Sequence, residues 1–252
     1  MTGVLLVHRR DDVLHLRLNR PERRNALDPE LVAALEAAVA SAVSDPTLRA
    51  VVITGEGPSF CAGADLNQLH AAARDGRDPM PFLRAVSTCF DRIEQAPVPV
   101  VAVLHGHAVA GGLELALACD IVLAHTATLI GDGHVSNGLL PAGGSTIRLA
   151  RKVGEPLARW LMLTGQLLPA EDFVTSGFVN RVVDPDRAEA ALSDVLDALR
   201  EPSKSSQQQL KSAINEQSRL AHAHALQVEH DAFVRNWDDS RLARALRRFA
   251  DR

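Results

Sequence analysis

The sequence predicts an α/β fold with a C-terminal helical region. Short apolar runs alternate with amphipathic helical stretches as far as Val183. Two strand–loop–helix units, VVITGEGPSFCAGADL (Val51–Leu66) and VAVLHGHAVAGGLELALACDI (Val101–Ile121), carry glycine at the same kind of place. From Arg187 onward every stretch is helical in character. A chain of 252 residues builds one large α/β domain, or a domain with a small helical appendage.

In order, Val13–Leu18 (VLHLRL) alternates as a half-buried strand, and NRPERRNALD follows as turn and loop. Asp28 is placed to cap a helix with Pro29 at its first position and Leu31, Leu35, Ala38 and Val39 on one face. Arg49–Thr54 is a short buried strand, Gly55–Ala64 a loop, and Asp65 the start of a second helix. Arg74–Pro81 reads as a polar, broken surface loop and Phe82–Gln95 as a helix closed by Pro97 and Pro99. Val100–Leu104 is an apolar strand entering a turn of small residues, with a helix over Leu113–Cys119. Ile121–Ala124 is a strand and Leu129–His134 a short extended piece. The turn Leu139–Ser145 feeds a helix over Thr146–Val153. Helical patterns continue at Pro156–Leu163 and Ala170–Ser176, and Val179–Val183 is the last strand.

Composition excludes several classes. The net charge of -4 gives no basic surface for nucleic acid. No run approaches the roughly 18 apolar residues of a membrane span, and MTGVLLVHRRDD turns charged too early for a signal peptide. Cys61, Cys89 and Cys119 are odd in number and widely spaced, which fits a reducing cytoplasm and neither a disulfide framework nor a zinc site. His222 and His224, two apart on a helix, point apart and make a poor metal pair. An Ala- and Arg-rich chain whose only lysines are Lys152, Lys204 and Lys211 suggests a GC-rich bacterial genome.

Glycines at a helix N-terminus let a ligand approach bare backbone N–H groups, and Glu114 stands within reach of whatever they hold. The segment is not a Walker A loop, since Gly112 stands where lysine is required, and the chain has neither G-x-G-x-x-G nor G-x-S-x-G. If the two strands are parallel neighbours, both loops leave one sheet edge and two N–H groups converge on one oxygen, the geometry of an oxyanion hole.

NRPERRNALD, ITGEGPSFCAGADL, HGHAVAGGLELALACDI, LLPAGGSTIRLARKVG and LTGQLL, in this order, resemble the crotonase superfamily (enoyl-CoA hydratase/isomerase) from about Val4 to Val183, and less so in the tail. The resemblance implies a crotonase-like spiral of ββα units over residues 1–190 with sheets stacked nearly at right angles. It also implies a helical trimerisation region over 191–252. The substrate it implies is an acyl-CoA thioester, coenzyme A being part of the substrate and no separate cofactor needed. The assembly it implies is a homotrimer or a dimer of trimers. By the same pattern Ala64 and Gly111 donate the oxyanion-hole N–H groups. Arg24 and Ala26 line the CoA nucleotide, and Asp65, Leu66 and Asn67 lie toward the pantetheine and adenine side. Small residues at Ala62 and Gly112 suit the close approach such a site needs.

Glu114 matches the family's first catalytic glutamate, but the position of the second, twenty residues on, is His134. Three readings of His134 stand: a substitute acid/base, a partner of Asp132 in an Asp–His pair that shares a face if the segment is extended, or an idle pocket residue. The reactions expected are therefore hydration of a 2-enoyl-CoA first, then double-bond isomerisation or hydrolysis using Asp132 and His134. A catalytically weak acyl-CoA binder is the remaining reading. His105 flanks Gly106, and His107 reads as packing near the acyl pocket. Glu94, Asp120 and Glu171 read as helix-end or surface charges, and Cys61 and Cys119 as small buried hydrophobes. Leu220, Leu226, Phe233, Trp237, Leu242, Leu246 and Phe249 form an apolar set in the tail that a lone domain would leave partly uncovered. Arg241, Arg247 and Arg248 depart from the family's acidic-glycine and lysine pattern.

Overall fold

The computed structural model describes residues 3–237. Its organising pattern is a repeat: a strand in a large sheet, a short extended stretch in a second layer, then a helix. In the first turn β1 (Leu5–Arg10) pairs antiparallel with β2 (Val13–Leu18), Leu27 forms a bridge in the second layer, and α1 (Pro29–Ser44) follows. The Asp28 carboxylate accepts from Leu31 N at 2.8 Å, so the cap forms as its side chain dictates. The second turn is β3 (Ala50–Gly55), bridges at Cys61 and Ala64, then α2 (Leu66–Arg74) and α3 (Met80–Glu94). The third is β4 (Val100–Leu104), β5 (His107–Val109) and α4 (Gly111–Leu117). The fourth is β6 (Ile121–His125), β7 (Leu129–Gly131) and α5 (Ser145–Val153). After α6 (Glu155–Thr164) come β8 (Leu168–Pro169), β9 (Arg181–Val183), α7 (Ala188–Arg200) and α8 (Lys204–Trp237).

The large sheet runs β1-β2-β3-β4-β6-β9 and is parallel beyond β2, while β5, β7 and β8 form the second sheet. One face of the large sheet packs Leu16, Ile53 and Ala102 against α1, α3 and α4. The other packs Val52, Val101 and Leu123 against Leu196 of α7. A strand covered on both faces reads as an unbroken apolar run, which is why β4 is VVAVL and buried throughout.

Several expected boundaries move. The expected loop over Arg74–Pro81 shrinks to 75–79, because α2 runs to Arg74 and Asp78 accepts from Met80 N at 2.9 Å to start α3 early. Helix α4 begins at Gly111 rather than Leu113, and Ala170–Phe173 is a 3-10 turn rather than a helix to Ser176. His134 lies beyond β7 in helical geometry at the start of a 3-10 turn, so the extended piece ends before it.

The described part of the tail is partly covered, Leu210, Ile214 and Val234 of α8 being exposed. Leu226 and Phe233 are buried against their own chain. Helix α8 is tied to the body by Lys211, which bonds Val98 O at 3.0 Å, and by Asn215, which donates to Glu94 O at 2.7 Å. The side chains of Leu220, His222 and His224, and all of Arg241, Leu242, Leu246, Arg247, Arg248 and Phe249, lie outside the described residues. No helix among the described residues is long and apolar enough to cross a membrane.

Candidate active site

Because β3 and β4 are parallel neighbours, the loops that follow them leave the same edge. The first loop is clamped on both sides. Gly63 O and Asp65 N bond Leu27 N and O at 2.7 and 2.8 Å, and Cys61 N and O bond His107 O and Val109 N, each at 3.1 Å. Gly63 has φ +94, and a Cβ there would lie 2.9 Å from Ala110 Cβ and 3.1 Å from Gly111 N. Ala110 itself sits at φ 52, ψ -119 at the head of α4, a conformation non-glycine residues hold only under constraint. A Cβ on Gly111 would come within 3.4 Å of Ala64 N, so the two amides lie side by side. Neither Ala64 N nor Gly111 N donates to a backbone acceptor among the described residues, and both residues line one cavity.

That cavity is narrow, about 70 Å³, and its apolar wall includes Leu66, Leu69, Leu83, Leu139 and Phe233. Glu114 and His134 also line it. Glu114 is 2% exposed, on the first turn of α4, where the helix dipole favours a carboxylate. Its Oε1 accepts from Gly143 N at 2.9 Å and Ser145 N at 3.0 Å. Its Oε2 lies 3.8 Å from His134 Nε2. His134 Nδ1 is 3.0 Å from Asp132 Oδ1, and Asp132 is 1% exposed. The result is a carboxylate–imidazole–carboxylate chain. Asp132 and His134 meet because the chain turns at Gly133, φ +61, and not because the segment is extended. Burial pushes the Asp132 carboxyl upward, but the charge and hydrogen bond of His134, with help from the Ser145 hydroxyl, hold it below the ordinary value. Among the described residues Asp132 Oδ2 and Ser145 Oγ have no partner of ordinary hydrogen-bond geometry, so Ser145 acts on the carboxylate at longer range.

The other expected site residues divide. Ala62 and Leu66 line the cavity; Asn67 is exposed and does not. Arg24 is exposed, in left-handed geometry, and its carbonyl accepts from Ala62 N at 3.0 Å; Ala26 is buried. The Asp65 carboxylate caps α2 by accepting from Asn67 N at 3.0 Å and pairs with Arg20 at 3.0 Å, so it is engaged in holding the loop. Gly112 is demanded by packing: a Cβ there would meet Cys61 O at 2.1 Å. His107 does not line the cavity, whereas Val109 of the same strand does.

Glu94, the last residue of α3, and the exposed Asp120 are the helix-end and surface charges expected, and both also hold structure. Glu94 pairs with Arg148 at 2.9 Å, and Asp120 accepts from Val100 N at 2.7 Å and pairs with Lys211. Arg148, Ser145 and His230 were not singled out by sequence, and Phe233 was read only as one of the tail's apolar set. The available signal for Arg148 was a cation on the apolar face of α5, between Ile147 and Leu149. No group of three His, Cys, Asp or Glu placed to hold a metal occurs among the described residues.

Paired amides beside a buried carboxylate, at the edge of a strand–strand–helix spiral, define a crotonase-type site. The family described as Enoyl-CoA hydratase/isomerase matches this chain over residues 8–252. A Mycobacterium tuberculosis protein named as a probable enoyl-CoA hydratase is 41% identical over 177 residues, 70% of this chain and 68% of that one. A Rhizobium meliloti protein named in the same way is 32% identical over 230 residues, 91% and 88% of the two chains. The crystal structure of an enoyl-CoA hydratase from Mycobacterium avium subsp. paratuberculosis K-10 superimposes with a TM-score of 0.87 at 28% identity, covering 96% of this chain and 97% of that one. The chain belongs to the enoyl-CoA hydratase/isomerase family, with the crotonase fold.

Proposed function

We propose that the protein is an enoyl-CoA hydratase, adding water across the double bond of a 2-enoyl-CoA thioester. The thioester oxygen sits between Ala64 N and Gly111 N. As water adds to Cβ, charge moves onto that oxygen, and two fixed N–H donors in a water-poor cavity stabilise the enolate. Glu114 takes the proton from the attacking water. His134 Nε2 gives a proton to Cα, with the ring held through Nδ1 by Asp132. Glu114 then holds an extra proton and His134 lacks one. The 3.8 Å gap between Oε2 and Nε2 lets that proton pass across once product leaves and the side chains close. No cofactor enters the scheme apart from the coenzyme A of the substrate.

The observation that carries this reading is the facing Glu114–His134 pair beside the two amides. The test is loss of the conjugated enoyl-thioester absorbance with crotonyl-CoA and longer 2-enoyl-CoAs. Turnover of none of them refutes it. The Asp132–His134 bond favours one second reading, hydrolysis of the thioester with His134 activating water. Release of free thiol without a 3-hydroxyacyl product identifies that outcome, and a shifted double bond identifies isomerisation. The reading also places the protein in a bacterial cytoplasm as a homotrimer or dimer of trimers, with the helical tail in the trimer contact. A monomer by light scattering refutes the assembly.

A further inference from the structure

The turn Ala142–Ser145 is held by hydrogen bonds from two directions. Inward, the N–H groups of Gly143 and Ser145 both donate to Glu114 Oε1, at 2.9 and 3.0 Å. Outward, Arg148 donates through a guanidinium N–H to Gly143 O at 2.8 Å, and His230 Nε2 lies 3.0 Å from Ala142 O. A carbonyl only accepts, so His230 carries its proton on Nε2. Arg148 is 1% exposed and is itself anchored on α3 by Asp91 and by Glu94, the latter at 2.9 Å. His230 is 8% exposed and comes from α8, far along the chain. Each group grips one carbonyl of the turn, and the amides of the same turn grip the carboxylate.

We propose that Arg148 and His230 are positioning residues for Glu114, acting through the carbonyls of Gly143 and Ala142. The proposal rests on the reading of Glu114 as the base. It makes α8 part of the catalytic apparatus: the helix that closes the acyl cavity with Phe233 also fixes, one turn earlier, the loop that aims the carboxylate. Two N–H donors on one oxygen favour the charged carboxylate. Slackening the turn therefore makes Glu114 both less well aimed and harder to ionise. The titratable and charged groups facing this arrangement are His134, with Asp132 behind it, on the cavity side. On the other side are Arg148, Asp91 and Glu94.

The test compares His230→Ala, His230→Gln, Arg148→Lys and Lys211→Met with the parent, using crotonyl-CoA. Loss of one net hydrogen bond predicts a fall in kcat of roughly five- to tenfold for His230→Ala. KM stays within about twofold, and the acid limb of the pH profile moves to higher pH. His230→Gln, whose amide still donates, recovers most of the loss. Lys211→Met loosens α8 away from the turn and leaves the acid limb in place. Arg148→Lys keeps the charge but loses the fork, and falls at least as far as His230→Ala. The titration of the Glu114 carboxyl, followed by carbon-13 NMR, is read in parallel and needs no turnover. An upward move in His230→Ala supports the proposal even if crotonyl-CoA is not the substrate. A parental Glu114 titration in His230→Ala overturns it, whatever the activity. Absence of turnover in every form instead counts against the hydratase reading alone.

Discussion

Replacing Gly143 by alanine moves the proposed base without altering any group that does chemistry. A Cβ at this position would stand 2.5 Å from Glu114 Oε2, 2.8 Å from its Cδ and 3.0 Å from Phe90 Cε2. Ordinary van der Waals contact begins near 3.4 Å, so the carboxylate must retreat by about 0.9 Å. It cannot slide freely, because Gly143 N and Ser145 N hold its other oxygen. A misplacement of about 1 Å costs on the order of a hundredfold in rate, and overpacking of this kind costs about 1–3 kcal/mol in stability. Gly143→Ala is therefore expected to lose roughly two orders of magnitude in kcat for crotonyl-CoA hydration while still folding, with a melting temperature lower by several degrees. Gly76→Ala is the companion control. Its φ of +63 strains an alanine, but nothing lies within 4 Å, so it loses stability and keeps activity. A Gly143→Ala protein with kcat within about threefold of the parent would refute the placement of Glu114 as the base.

Glu114→Gln keeps shape and removes the base, and steady-state kinetics should show a loss of about 10²–10⁴-fold in kcat. Asp132 has its carboxyl held below the ordinary 3.8. Its contribution to stability is therefore present above that value and is lost as pH falls through the folded-state value. Urea midpoints between pH 6 and 3 should fall less steeply for Asp132→Asn than for the parent, and parallel curves would contradict this. Burial pushes the thiols of Cys61, Cys89 and Cys119 up to about 12, so iodoacetamide at pH 8 should label the native protein negligibly and the urea-unfolded protein fully. Gly112→Ala puts a Cβ 2.1 Å from the Cys61 carbonyl, backbone against backbone, and should yield little soluble folded protein; normal expression with a parental melting temperature would count against the loop packing.

The strands legible in the sequence were those whose burial pattern is plain. AVVIT and VVAVL lie inside a sheet covered on both faces, and VLHLRL alternates. Of the second layer, LIG was legible only as part of an extended piece over Leu129–His134, and HAV was not read as a strand. HAV and LIG are three residues each, too short for any periodicity, and they exist through pairing with each other. LLVHRR lacks an inward face beyond Leu5 and is held as an edge by its backbone ladder with β2. At the site, Glu114 was legible because the glycines beside it mark a tight approach. The meeting of Asp132 with His134 depends on a turn at Gly133 that an extended reading does not supply. Arg148 stood out locally only as a cation on an apolar helix face, which did not name its partners, since Asp91 and Glu94 are more than fifty residues away. At Asp65 the helix start was legible and the cap forms there, but the ion pair with Arg20, forty-five residues away, was not.

Ala64 N and Gly111 N belong to the main chain, and their positions are fixed by bridges from Leu27 to Ala64 and from Cys61 to Ala108. Of the side chains proposed to handle protons, Glu114 stands on the first turn of α4, three residues after Gly111, whereas His134 hangs from a separate segment after β7. Position 134 is thus variable separately from the two amides. On the proposed reading, a codon change at 134 alters which protons move, while the amides proposed to seat the thioester oxygen stay as they were. Such a scaffold can drift from one enolate reaction to another through single side-chain exchanges without passing through a form that no longer stabilises the enolate.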